Sequence, residues 1–177
     1  AVVFAVILGT GVGAGIVVRA AVLGGCNGIA GEWGHNPLPW PRDDERPGRT
    51  CYCGRAGCIE TWLSGPALEF DHRQAAGARA IGAAQIVAQA AGGDPYAGAA
   101  LARYEERLAR ALAHVINILD PDVIVLGGGM SNVASLYERV PALWVPWIFA
   151  DHVATRLVRN VHGDSSGVLG AARLWPA

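Results

Sequence analysis

Apolar and polar positions alternate along the chain in runs that predict short strands separated by Ala-rich helices. Val2–Leu8, VVFAVIL, is an unbroken apolar run rich in β-branched residues, the pattern of a strand buried on both faces. It ends in the glycine-rich stretch 9–13. Residues 15–18 and 21–23 then predict two further strands, joined by a tight turn at Arg19 and Ala20. Residues 61–72 carry Leu63, Leu68 and Phe70 with an early Pro66 and predict a helix, and residues 75–91 predict a second that closes at Gly92-Gly93. The clearest periodicity follows Asp94-Pro95, where Leu101, Tyr104, Leu108, Leu112, Val115, Ile116 and Leu119 form one stripe of a helix over residues 96–119. Arg103, Glu106, Arg107 and Arg110 fall largely opposite that stripe, which predicts a solvated face. His114 and Asn117 lie beside it and are expected as satisfied interior polar groups. Asp120-Pro121-Asp122 breaks the helix. Residues 123–126 predict a strand, 133–144 a helix, 155–160 a strand and 167–174 a helix of small residues. Strands alternating with helices predict an α/β domain with a mixed sheet.

Composition narrows the class. Of the 177 residues 52% are hydrophobic and 16% charged, enough apolar material for a sizeable core, which excludes a disordered or fibrous chain. The net charge is −1, every basic residue is Arg, and no basic run or stripe occurs, which argues against nucleic acid and anionic membrane as partners. Apolar runs are interrupted by Gly, Arg or Pro well short of a membrane span.

Chemistry concentrates in residues 31–64. Three of the four cysteines fall within CYCGRAGC, and His35 precedes them by a Pro/Gly/Arg-rich loop able to fold back. Soft thiolates with one imidazole select zinc, so His35, Cys51, Cys53 and Cys58 are expected to form a closed, structural zinc site. Gly54 and Gly57 let the backbone turn tightly enough to aim the sulfurs at one point. Disulfides are disfavoured: Cys51 and Cys53 are too close to pair easily, and the chain is neither small nor cysteine-dense. Glu32 and Glu60 sit beside these ligands, and paired carboxylates on stiff backbone suit the hydroxyls of a polyol. The polar segment RDDERPGR is expected as an exposed excursion of the loop; Trp33, Trp40 and Trp62 flank the candidate site, where they either wall the polyol or, as the preferred reading, pack.

Two glycine turns complete the pattern. The hairpin around Thr10 and Gly11 joins two strands, unlike a dinucleotide fingerprint, which opens a helix, or a P-loop, which needs Gly-Lys-Ser/Thr. Its backbone N–H groups and the Thr10 hydroxyl suit phosphate oxygens, although a turn needs glycine in any case. Gly127-Gly128-Gly129 follows a strand and precedes a helix, the arrangement in which a nucleotide approaches bare backbone. Reduced cysteines and the lack of a signal-peptide pattern point to the cytoplasm. The chain opens with Ala1 inside a predicted strand, as part of a longer protein would.

ILGTGVGAGIVV, GEWGH, CYCGRAGCIET and DPDVIVLGGGMS, in this order and spacing, resemble the ROK family of sugar kinases and sugar-responsive repressors. GEWGHNPLPW, SGPALEFDH and HGDSSGVLGAARLWP most resemble its bacterial fructokinase, or manno(fructo)kinase, branch. The resemblance covers essentially all 177 residues. It implies the C-terminal portion of an actin-like kinase with ribonuclease-H-like halves, a mixed sheet and an inserted zinc loop, the N-terminal lobe lying outside this chain. It further implies that Glu32, His35 and Glu60 bind sugar hydroxyls, that Thr10 and Gly11 meet ATP phosphates, and that Gly128 and Gly129 meet the adenosine side. The implied reaction is transfer of the γ-phosphoryl of Mg-ATP to the primary hydroxyl of a hexose, fructose or mannose by this branch, in a protein that tends to form homodimers. The family's catalytic Asp stands in an Asn-Asp motif upstream of Ala1, and its first phosphate-binding turn lies near the true N-terminus. The isolated chain is therefore expected to have no kinase turnover. The alternative is the sugar-sensing part of a ROK repressor, whose DNA-binding helix-turn-helix would also precede this chain.

Overall fold

The computed structural model describes residues 1–77, 80–163 and 166–172. Five strands form one sheet: β1 (Val2–Leu8), β2 (Val12–Val18), β3 (Ala21–Val22), β4 (Val123–Gly127) and β5 (Arg156–Arg159). Their spatial order is β3-β2-β1-β4-β5. β1 pairs antiparallel with β2, with Leu8 opposite Val12, so Gly9, Thr10 and Gly11 alone make the hairpin loop. β1–β4 and β4–β5 are parallel, which makes the sheet mixed, as the alternating pattern predicts.

The helices are α1 (Glu60–Leu63), α2 (Gly65–Ala76), α3 (Ala83–Ala91), α4 (Pro95–Leu119), α5 (Ser135–Trp144) and α6 (Ser166–Ala172). In α4, Asp94 Oδ1 accepts a hydrogen bond from the Ala97 N–H at 2.8 Å and Pro95 occupies the first turn, where its missing N–H costs nothing. α4 packs against α2, α3 and α5. Its Tyr104, Leu108 and Leu112 join Phe4, Val6, Leu8, Ile124 and Leu126 in one continuous core.

Several expectations change on folding. β1 is not buried on both faces: Phe4, Val6 and Leu8 are buried, whereas Ile7 is 37% exposed, so the strand alternates like a sheet with one closed face. The helix expected over 61–72 is two, because Ser64 leaves helical geometry to cap α2 by accepting from the Ala67 N–H. The helix expected over 75–91 is also split. α2 ends at Gly77, which is left-handed (φ 58°), and α3 begins after Gly82. The 133–144 helix starts at Ser135, after a 3-10 turn over Gly129–Asn132. For the helix expected over 167–174, residues 173 and 174 lie outside the described residues.

The polar face of α4 departs furthest. Arg107 and Arg110 are buried, not solvated, while His114 and Asn117 are exposed. The RDDERPGR segment is likewise anchored, with Glu45 only 4% exposed. Glu45 accepts from Arg107 Nε at 2.7 Å and from Arg110 Nη2 at 2.8 Å. Asp71 of α2 accepts from Arg107 Nη1 at 2.8 Å and from Arg103 Nη2 at 2.6 Å. Buried charges need partners, and here the loop supplies one to the helix and α2 another.

Candidate functional site

The loop before α1 is closed by backbone bonds between its two arms. Ile59 N–H donates to the Asn36 carbonyl at 2.8 Å, Glu60 N–H to Gly34 at 2.9 Å, and Leu38 N–H to Gly57 at 3.0 Å. This brings His35 to CYCGRAGC. The ligand-capable atoms of His35, Cys51, Cys53 and Cys58 all lie within 4.8 Å of one another. Cys51 Sγ is 3.4 Å from His35 Nδ1, and Cys53 Sγ is 3.6 Å from Cys58 Sγ. A tetrahedron with bonds of about 2.0–2.3 Å has edges of about 3.5–3.8 Å, so the donor set and its spacing fit a closed four-coordinate metal site.

The thiols also show what such a site demands. A hydrogen bond from the Arg55 backbone pulls the Cys53 thiol below its ordinary range, while burial and the neighbouring Cys53 and Cys51 sulfurs push Cys58 up to about 12. Three crowded sulfurs resist ionising together unless a cation holds them. All four cysteines, Cys26 included, are free thiols, in keeping with the expectation against disulfides.

The expected sugar ligands divide between two positions. Glu60 opens α1, and its Oε2 accepts from the Val12 N–H at 2.9 Å. A Cβ on Gly11 would stand 2.6 Å from that same oxygen, so Gly11 is required for the carboxylate to reach the hairpin. Glu32 is exposed, beside a cavity of about 290 Å³ lined also by Ile29, Trp33, Asn36 and Ile118. Tyr52, which carries no signal in the sequence, stands against His35. Its phenol is pushed above its ordinary range by desolvation and then by the charges of Glu60, Cys51, Glu32 and Cys53. Its Oη lies 2.8 Å from His35 Nε2.

The glycine turns meet at a second cavity, of about 530 Å³, whose walls include Gly9, Thr10, Gly65, Glu69, Gly129 and Asn132. Thr10 and Gly129 therefore share one cleft. Gly128 lies behind it at φ 77°, where a Cβ would come 2.5 Å from the Leu8 carbonyl. Its glycine is demanded by strand packing. Glu69, a wall residue without a sequence signal, accepts from the Ala83 N–H at 2.9 Å and ties α2 to α3. The Gly65 N–H donates to the Gly9 carbonyl at 2.8 Å, so the cysteine loop, α1 and the cleft form one connected body.

The tryptophans pack, as expected. Trp33 meets Phe4 edge-on, Trp40 stacks on Trp147, and Trp62 lies under the Arg107 guanidinium. No helix of the described residues is long and apolar enough to cross a membrane.

Comparison with known proteins gives this arrangement a relation. The sequence is 37% identical over 177 residues to the N-acetyl-D-glucosamine kinase of Pectobacterium carotovorum subsp. carotovorum, covering 98% of this chain and 58% of that protein. The chain thus spans somewhat over half the length of that relative. The fold matches a ROK family glucokinase from Streptomyces griseus, solved with glucose and AMPPNP, at a TM-score of 0.85 with 27% identity, covering 98% of this chain and 60% of that one. It also matches a ROK family transcriptional regulator, a homolog of the E. coli MLC protein, at a TM-score of 0.74 with 29% identity, covering 89% and 41%. The sequence model of the ROK family aligns with residues 1–177 in full, and by that match the chain belongs to the ROK family.

Proposed function

We propose that this chain is the sugar- and nucleotide-binding part of an ATP-dependent hexose kinase, and that the whole protein transfers the γ-phosphoryl of ATP to the primary hydroxyl of a hexose. The observation that carries the reading is the Glu60–Val12 hydrogen bond. It couples the carboxylate of the cysteine loop to the hairpin whose Thr10 lines the cleft, so sugar and phosphate sites lie on one rigid unit. Phosphoryl transfer depends on such positioning more than on covalent help.

In this reading Glu32, Glu60 and His35 orient the sugar, with the carboxylates accepting from its hydroxyls. Thr10 and the hairpin N–H groups face the phosphates, and the Gly128-Gly129 turn lies on the adenosine side. Zinc suits the Cys51, Cys53, Cys58 and His35 donor set, and when bound it would stiffen the backbone carrying both carboxylates. Mg²⁺ would arrive with ATP and offset phosphate charge. The catalytic base is assigned to a segment outside these residues. Asp71 is held by Arg103 and Arg107, Asp94 caps α4, and Asp122 accepts from the Val2 N–H at 2.6 Å. We take the setting to be cytoplasmic and the assembly to be a homodimer, as the resemblance implies.

Fructose and mannose follow from the sequence resemblance alone. The relatives' names are N-acetyl-D-glucosamine kinase and glucokinase, so we rank sugars of gluco configuration, with or without the N-acetyl group, ahead of fructose. The second reading, the sugar-sensing part of a repressor, is supported by the likeness to the transcriptional regulator. ADP release by the full-length protein and by this chain, measured with N-acetylglucosamine, glucose, mannose and fructose and with metal content determined, separates the readings. Turnover by the full-length protein with a metal-loaded but silent fragment is the expected result. Sugar binding without turnover in either would overturn the kinase reading in favour of the sensor.

A further inference from the structure

Tyr52 is an aromatic side chain beside the cysteine cluster that the proposed chemistry leaves without a task. It sits between two of the clustered cysteines, on a turn closed by the Cys51 N–H donating to the Arg55 carbonyl at 2.7 Å and the Gly54 N–H to the Cys51 carbonyl at 3.0 Å. At 84% exposure its ring could extend into solvent, yet it folds back edge-on against the His35 imidazole, with ring centroids 4.9 Å apart and planes at 86°. Its Oη meets His35 Nε2 at 2.8 Å.

A metal in the cluster would set the direction of that bond. His35 Nδ1 faces the cysteine cluster, 3.4 Å from Cys51 Sγ, so with a metal bound its lone pair would be taken there and the ring proton would stand on Nε2. His35 Nε2–H would then donate, and the phenol oxygen accept. A sugar hydroxyl bound by His35, as the kinase reading has it, would require the same N–H.

Resting on the kinase reading, we propose that Tyr52 is a displaceable gate over the sugar site. It occupies the His35 Nε2–H while sugar is absent and yields that donor to a sugar hydroxyl on binding. An exposed phenol loses little when it returns to water, so the gate opens readily, but its closed population lowers the apparent sugar affinity.

The test uses the full-length, metal-loaded protein. Calorimetric titration of N-acetylglucosamine and glucose into wild type, Tyr52→Phe and Tyr52→Ala is paired with NMR of the His35 Nε2–H in ¹⁵N-histidine-labelled samples. Tyr52→Phe keeps the ring and removes the acceptor. It is expected to tighten sugar binding by about threefold to tenfold, the fraction set by one exposed hydrogen bond. The Nε2–H signal is expected to be protected in sugar-free wild type, exposed to exchange in sugar-free Tyr52→Phe, and protected again in both with sugar. Tyr52→Ala, at equal metal content, is expected to follow Tyr52→Phe. Wild-type sugar binding with unchanged or weaker binding in both variants would overturn the gate while leaving the kinase reading intact, weaker binding marking the phenol as a sugar contact. Absence of sugar binding in wild type would overturn both.

Discussion

Glu60 and Val12, 48 residues apart, are joined by a hydrogen bond of 2.9 Å from the Val12 backbone N–H to the Glu60 carboxylate. The carboxylate leaves the cysteine loop, crosses over Gly11 and reaches the glycine hairpin, which ties the two halves of the candidate site together. This bond separates two roles of one side chain. Glu60→Gln keeps an acceptor for Val12 while losing the charge. It is expected to retain the wild-type melting temperature and to weaken hexose binding by about tenfold to hundredfold, the range for a hydrogen bond to a charged group. Glu60→Ala is expected to lose both binding and thermal stability. Calorimetry and thermal melts on the full-length protein read the two effects apart, and equal sugar affinity in wild type and Glu60→Gln would remove Glu60 from the sugar site.

The ion pair of Glu45 with Arg110 ties the cysteine loop to α4 at positions almost closed to water, 2% and 0% exposed by side chain. Removing one member strands the other, at a cost of about 3–5 kcal/mol for a buried pair. Arg110→Met is expected to destabilise by that order in urea unfolding. The double variant Arg110→Met with Glu45→Gln is expected to lose less than the two single variants summed. Strict additivity would mean that the pair carries no coupling.

Acid should loosen the same clasp. Burial, the largest influence, works to raise the Glu45 carboxyl, but hydrogen bonds from Arg107, the Arg42 backbone and Arg110 outweigh it and hold Glu45 below its ordinary range. Asp71, held by Arg103 and Arg107 against the same burial, is lowered too. A carboxyl depressed in the folded state stabilises above its unfolded pKa, and that stability is lost as pH falls through the folded value. Unfolding free energy is therefore expected to be flat from neutrality down to the ordinary carboxylate range, roughly pH 4 to 4.5, and to fall below it. Glu45→Gln should flatten that fall, and a pH series of urea melts checks it.

Chelation addresses the cysteine loop alone. With zinc in the Cys51, Cys53, Cys58 and His35 set, a strong chelator is expected to open residues 31–64 to trypsin at Arg49 and Arg55, while Arg107 and Arg110 in the buried face of α4 stay protected. Metal content followed alongside peptide mass mapping gives the result. Identical cleavage before and after metal removal would mean that the loop is held by its backbone ladder and the Glu45 clasp alone.

Features written in local spacing were legible before folding. The Cys-x-Cys pair and the third Cys five residues on marked the ligand cluster, and β1 and α4 were bounded to within a residue by apolar run and helical stripe. Helix breaks were not, because Ser64 and Gly77 interrupt stretches whose composition reads as continuous helix. Nor were Arg107 and Arg110 recognisable as buried. Their stripe is polar, and polarity predicts water unless a partner is known.

By itself, then, the sequence determined the element types, β1 and α4 with their bounds, and the chemical types at the site, since periodicity and ligand spacing act over a few residues along the chain. Tertiary structure alone decided which polar groups meet. Glu45 and Arg110 stand 65 residues apart, and Tyr52 and His35 stand 17 apart across a folded loop. Both pairings arise from the closing of the loop, and for Glu45 and Arg110 exclusion of water makes each buried charge need one specific partner, a requirement that no local pattern encodes.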